Sequence, residues 1–131
     1  MGCGQTKVEE PAPPAKPTVR ASHILIKHLV SNNPESKRTG KNVTETPYEA
    51  RQAALALHVE IVAGNITFEK AAKTKSDCSS YSRKGDLGEF AEGEKKAFGK
   101  PFDDAAFGLA VGEMSGVIIT KSGLHIIKRT G

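Results

Sequence analysis

The chain has 131 residues, 37% of them hydrophobic and 26% charged, with a net charge of +4. That is enough for one domain with a small core and too little for two. Two cysteines, one of them at the extreme N-terminus, exclude a disulfide framework. Four scattered histidines exclude zinc-finger spacing, and the lack of a run of about 18 apolar residues excludes a membrane-spanning helix.

In chain order, residues 1–18 interleave Pro11, Pro13, Pro14 and Pro17 with alanine. Such a stretch is extended and carries no core, so it reads as a tail, with the domain expected over 19–131. The opening Met1-Gly2-Cys3-Gly4-Gln5-Thr6 fits an N-myristoylation pattern: Gly2 is exposed once Met1 is removed, and Thr6 sits at the hydroxyl position. One myristoyl chain binds a membrane only marginally, so a second chain on Cys3 would decide whether the tail is an anchor. An unmodified tail that begins Met-Gly is the other reading. No apolar leader segment opens the chain, so the expected setting is a reducing compartment, the cytoplasm and with it the nucleus, or a membrane surface if the tail is acylated.

Val19–Lys27 is rich in apolar residues and reads as a strand. Ser31–Thr44 mixes Asn, Pro, Gly and charge without periodicity, a long loop of the kind that often carries function. Thr46-Pro47-Tyr48-Glu49 starts a helix, with an N-cap Thr, Pro at the first position and Glu at the third. Ala50, Ala54, Leu57 and Ile61 follow at helical spacing, and Gly64 stops the helix. Thr67 caps a shorter helix with Phe68, Ala71 and Ala72 facing inward. Ser76–Ser80 and Gly85–Gly88 are turn-rich, and a short strand opens at Glu89-Phe90. Pro101–Phe107 reads as a third helix with Asp103 and Asp104 in its first turn. Gly112 and Gly116 bracket a turn around Met114. Val117–Thr120, Lys121-Ser122-Gly123 and Leu124–Lys128 read as a hairpin. Helices over one antiparallel sheet make an α+β domain.

The charge excess is local. Residues 1–18 are balanced, and 42–131 carry twelve basic and twelve acidic side chains. All of the surplus lies in 19–41, where Arg20, Lys27, Lys37, Arg38 and Lys41 face Glu35 alone. Such a stretch suits an anion site, or else a solvated basic loop. It lacks the broad basic face of a nucleic-acid binder, and with five phenylalanines, two tyrosines and no tryptophan there is little for base stacking.

Five segments in order, Val19–Leu25, Ser76-Asp77-Cys78-Ser79-Ser80, Gly85–Phe90, Pro101–Phe107 and Ser122–Ile127, resemble the parvulin family of peptidyl-prolyl cis/trans isomerases. The Asp-Cys-Ser-Ser form resembles the branch directed to phosphoserine- or phosphothreonine-proline bonds. The resemblance runs from about Val19 to Gly131 and implies the parvulin, FKBP-like fold: a four-stranded antiparallel sheet with three to four helices. It places the family's paired histidines on His23 and His125, expected to hold each other through a ring hydrogen bond. It places the pocket cysteine on Cys78, followed by Ser79, and the pocket threonine and serine on Thr120 and Ser122. The proline pocket falls on Leu87 and Phe102, with Phe98 third, in a stretch from Glu92 to Gly99 that is longer than usual. The phosphate loop carries a basic residue at Lys27. The two positions that usually hold adjacent arginines read Asn32 and Asn33, and Lys37 and Arg38 follow. The best-known members carry an N-terminal WW domain, which 18 residues cannot hold; plant-type members stand alone.

That resemblance implies a monomer acting on proline-containing, phosphorylated proteins. The barrier to rotation about a peptide bond is roughly 18–20 kcal/mol, and about 10⁴-fold acceleration needs roughly 5–6 kcal/mol. No metal, cofactor or covalent step is required for that. Cys78 therefore reads as a polar pocket residue beside the rotating bond rather than as a nucleophile, with a buried small hydrophobe as the bland alternative. Away from the resemblance, His23 and His125 are ordinary core histidines, Phe102 is a core side chain, and Thr120 and Ser122 are hairpin residues. Three functions stay open: a phosphate-directed isomerase, a phosphate-independent one, and a module that binds proline segments with little turnover.

Overall fold

The computed structural model describes residues 17–131; the acylation pattern at Gly2 and Cys3 lies outside the described residues. The strands are β1 (Thr18–Ile26), β2 (Asp86–Ala91), β3 (Met114–Thr120) and β4 (Gly123–Arg129), and the helices are α1 (Pro47–Val62), α2 (Phe68–Lys75) and α3 (Gly99–Gly108), with a 3₁₀ turn at Ser79–Arg83. The sheet order is β2-β1-β4-β3, antiparallel throughout. This is the four-stranded sheet with three helices that the resemblance implies.

Strand alternation sorts the core into two sides. On one side Val19, Ala21 and Ile127 pack with Phe90, Phe102 and Ala106, so α3 covers that face. On the other, Ile24 and Ile126 meet Phe68, Ala71 and Ala72 of α2, and Leu124 meets Ala50 and Ala54 of α1. The helices thus lie on both faces of the sheet.

Local chemistry explains the helix starts. Thr46 Oγ1 accepts from the Glu49 N–H at 3.1 Å and Glu49 Oε1 accepts from the Thr46 N–H at 2.9 Å, a complete capping box with Pro47 at the first position. Such a cap contributes about 1 kcal/mol. Thr67 Oγ1 accepts from the Lys70 N–H at 3.1 Å and does the same for α2. Eight residues are too few for a stable isolated helix, so burial of Phe68, Ala71 and Ala72 holds α2 in place.

Three boundaries differ from the sequence reading. β2 opens at Asp86, not Glu89, because Asp86 pairs with Ser22 in the ladder and takes the Arg20 guanidinium at 2.6 Å. A register irregularity between Arg20 and Ser22 absorbs the left-handed Gly88. α3 opens at Gly99, so Asp103 and Asp104 fall beyond its first turn and do not serve its dipole. Asp103 is buried instead, and its Oδ2 accepts from the Gly93 N–H at 2.8 Å, closing the loop before the helix. Met114 belongs to β3 rather than to a turn; the register shift between Met114 and Val117 is filled by Ser115, whose Oγ accepts from the Ile127 N–H at 2.9 Å.

Candidate active site

His23 and His125 sit on the two central strands. The ladder pairs His23 with Ile127 and Leu25 with His125, so the two histidines are diagonal neighbours on one face. Their Nδ1 atoms are 3.0 Å apart. His125 Nε2 stands 2.7 Å from Thr120 Oγ1, and that oxygen accepts from the Ser122 N–H at 3.1 Å. Both rings are fully buried. Burial, then the neighbouring His125 and Lys95, holds His23 well below the usual imidazole range, and burial pushes His125 down to about 3.

A neutral imidazole carries one ring hydrogen, and a single hydrogen bridges the two facing Nδ1 atoms. Thr120 Oγ1, which accepts from the Ser122 N–H, also bonds His125 Nε2, so the chain Thr120–His125–His23 is continuous in either tautomer. It ends at His23 Nε2, a buried atom without a hydrogen-bond partner among the described residues. That atom is walled by aromatic rings: Phe98 and Phe102 lie 4.9 and 5.7 Å from the His23 ring centre and 5.0 and 5.2 Å from that of His125. Phe98 and Phe102, one helical turn apart, are 4.8 Å from each other. Leu87 is half-buried against the cluster that holds Phe102.

Above these rings opens a cleft of about 240 Å³, whose lining includes Lys27, Lys37, Cys78, Ser79, Phe98 and Ser122. Asn32, Asn33, Leu25 and Ala97 complete it. Cys78 is a free, half-buried thiol just before the 3₁₀ turn. Ser122 Oγ donates to the Ala97 carbonyl at 2.8 Å, which ties the β3–β4 turn to the loop carrying Phe98.

Asp77 fastens the basic loop to the sheet. Its Oδ2 accepts from the Lys27 N–H at 3.0 Å, its Oδ1 from the Ser36 hydroxyl at 2.7 Å, and its carbonyl from the Lys37 N–H at 2.9 Å. Arg38 belongs to the same clamp: its Nε donates to the Ser76 carbonyl at 3.1 Å and its guanidinium lies 3.7 Å from Asp77 Oδ1. The expected grouping of Arg38 with Lys37 therefore does not hold, because Arg38 turns away from the cleft to line a separate cavity of about 560 Å³ against α1. Lys27 Nζ donates to the Glu35 carbonyl at 2.6 Å and Lys37 Nζ to the Glu35 carboxylate at 3.0 Å. Among the described residues no group of three His, Cys, Asp or Glu side chains is placed to hold a metal ion.

A family model described as a rotamase, PPIC-type PPIase domain, matches residues 23–131. The chain belongs to that family, the parvulins. It is 44% identical over 113 residues to the peptidyl-prolyl cis-trans isomerase pin1 of Schizosaccharomyces pombe, covering 86% of this chain and 62% of that one. It is 45% identical over 115 residues to Pin1 of Arabidopsis thaliana, covering 86% of this chain and 94% of that one. The solved peptidyl-prolyl isomerase ESS1 of Candida albicans superposes with a TM-score of 0.82 at 42% identity, over 87% of this chain and 63% of that one. The chain thus spans under two thirds of the fission-yeast and Candida proteins and nearly all of the Arabidopsis one.

In this parvulin the residues that sequence reasoning missed are structural supports. The sequence places Asp77 in a turn and in the Asp-Cys-Ser-Ser form without giving it a role, yet it fastens Lys27, Ser36 and Lys37 together. The preceding Ser76 is the available signal, since a Ser-Asp pair after a helix offers acceptors to neighbouring backbone. Ala97 could not be found from its type: it acts through its carbonyl.

Proposed function

We propose that this parvulin isomerises phosphoserine- or phosphothreonine-proline bonds of other proteins without forming a covalent intermediate. Prolyl isomerisation is the activity of its family; the phosphate preference and the residue roles are the proposal. One observation carries it: Lys37, Cys78, Ser79, Phe98 and Ser122 line a single cleft, and the Phe98 ring lies over the neutral histidine pair.

The chemistry follows from what a twisted amide loses. Rotation removes resonance, so the transition state is less charge-separated than the planar bond. An apolar wall then favours the transition state over the ground state: Phe98 lines the cleft, and the expected cradle partners Phe102, fully buried, and Leu87, packed on the same cluster, stand behind it instead of lining it. Cys78, Ser79 and Ser122 supply polar contacts beside the rotating carbonyl. His23, His125 and Thr120 form the polar floor beneath the aromatic rings, and their neutral chain holds its shape through the turnover. Lys37 and Lys27 face the residue before proline, where a phosphate would anchor one end while the other swivels.

A second reading, isomerisation without a phosphate requirement, is favoured by two features of the same cleft. Asn32 and Asn33 line it, and Glu35 engages both Lys27 and Lys37. A protease-coupled or NMR exchange assay separates the two readings. Phosphoserine-Pro and Glu-Pro peptides are expected to be turned over at least about ten-fold faster than Ser-Pro and Ala-Pro peptides, with Lys37→Gln reducing that ratio. Equal rates on all four peptides would leave the phosphate-independent reading, and binding without acceleration would leave a proline-binding module.

A further inference from the structure

The cleft does not end at Phe98. Past Asn32, Ala97 and Phe98, which line both spaces, lies a second groove of about 640 Å³. Its apolar floor includes Phe98, Pro101 and Ile119, and its charged side chains are Lys96, Lys100 and Lys121, with no Asp or Glu in the lining. Its walls are tied together: the Asn32 N–H donates to the Lys121 carbonyl at 2.9 Å, and Ser122 Oγ donates to the Ala97 carbonyl at 2.8 Å.

We propose that this groove is a second subsite, which takes acidic side chains on the segment of substrate that follows the proline. The proposal rests on the cleft being the prolyl site. Lys27 and Lys37, at the end assigned to the residue before proline, are both engaged by Glu35. Lys100 is partnered by Asp104 at 3.0 Å, whereas Lys96 and Lys121 have no ion-pair partner among the described residues. Lys27 meets the Glu35 backbone carbonyl and only Lys37 meets its carboxylate, so one cation remains at that end, and the groove past Phe98 adds two more without an ion pair. A substrate chain seated with its proline at Phe98 must leave the cleft on one side, and the groove that shares Phe98 supplies a continuous path. Cations on a concave wall without carboxylates raise the local potential for an anion, and each contact is worth a modest factor at an exposed site. An acidic following segment is thus preferred over a neutral or basic one.

Four peptides test this, pairing phosphoserine-Pro or Ser-Pro with Glu-Glu or Gln-Gln after the proline. The Glu peptides are expected to show roughly five-fold higher kcat/KM, chiefly through KM, and the advantage shrinks as salt shortens the screening length below about 10 Å. The Lys96→Gln/Lys121→Gln double variant brings the Glu-to-Gln ratio to about one, while Lys41→Gln, which removes the same kind of charge from the separate cavity against α1, keeps it. Equal kcat/KM for Glu and Gln peptides overturns the proposal, as does a ratio that survives in the double variant. So does a double variant that loses only the phosphoserine-to-serine ratio, which would assign these lysines to the phosphate. If no peptide is accelerated, the prolyl reading itself fails, and Glu-peptide anisotropy with wild type and double variant then decides the groove on its own.

Discussion

His23 and His125, 102 residues apart in the chain, meet Nδ1 to Nδ1 at 3.0 Å across the two central strands. Two charged imidazoles do not fit at that distance in a buried site, so the pair is held uncharged beside Thr120, which suits the shape-holding role proposed for it better than proton transfer.

That neutrality has a pH signature. Both folded-state pKa values lie below the ordinary imidazole value of about 6.5, so the stability at stake is fully present above that value. As pH falls, the unfolded chain takes up protons that the folded one refuses, and stability is lost progressively until His125 itself titrates at about 3. Unfolding free energies from denaturant titrations are expected to drop by about 1.4 kcal/mol per pH unit for each histidine between pH 6 and pH 4, with His125→Asn removing one share of the slope. Ring nitrogen NMR shifts of an imidazolium in the folded protein at pH 5 would contradict the uncharged pair.

Two glycines make a controlled comparison. At Gly85 a side chain would run into the His23 carbonyl, and φ is +85°. At Gly88, φ is +73° and the space is open. Gly88→Ala is expected to cost about 1 kcal/mol from backbone strain alone, and Gly85→Ala at least about 3 kcal/mol once the clash against β1 is added. Chemical denaturation of both variants checks the difference; equal losses would mean that the close approach to His23 is not what Gly85 provides.

Phe102 and Phe98 touch, yet they answer to different measurements. Phe102 is fully buried, so Phe102→Ala is expected to lose about 3–5 kcal/mol of stability. Phe98 is half-buried and lines the cleft, so Phe98→Ala should lower kcat/KM at least about ten-fold with a far smaller change in melting temperature. A Phe98→Ala protein with full activity would remove that ring from the proline cradle.

Cys78 separates covalent from non-covalent rotation. Ser keeps a small polar group at that place, so Cys78→Ser is expected to stay within about ten-fold of wild-type kcat/KM, whereas loss of an obligatory nucleophile would forfeit most of the roughly 10⁴-fold acceleration. Activity measured after treatment with a thiol-directed alkylating reagent adds a steric control, because a bulky adduct should block the half-buried cleft in either case.

What the sequence determined by itself was whatever a few neighbouring residues decide together. The Thr46-Pro47-Glu49 helix start, the Thr67 cap and the inward face of α2 depend on contacts within a turn or two and stand where the sequence places them; the closing hairpin does too, with strands that extend to Met114 and Gly123. Through the family resemblance the pairing of His23 with His125 and the nearness of Phe98 to Phe102 were also legible. The tertiary structure alone decided matters settled by partners far along the chain. Asp86 joins β2 because Arg20 and Ser22 reach it, Asp103 leaves the helix dipole to close the loop at Gly93, and Arg38 turns from the cleft because Asp77 and Ser76 offer it acceptors. A charged side chain goes to the acceptors that folding brings near it, and its own sequence neighbours do not specify where those will be.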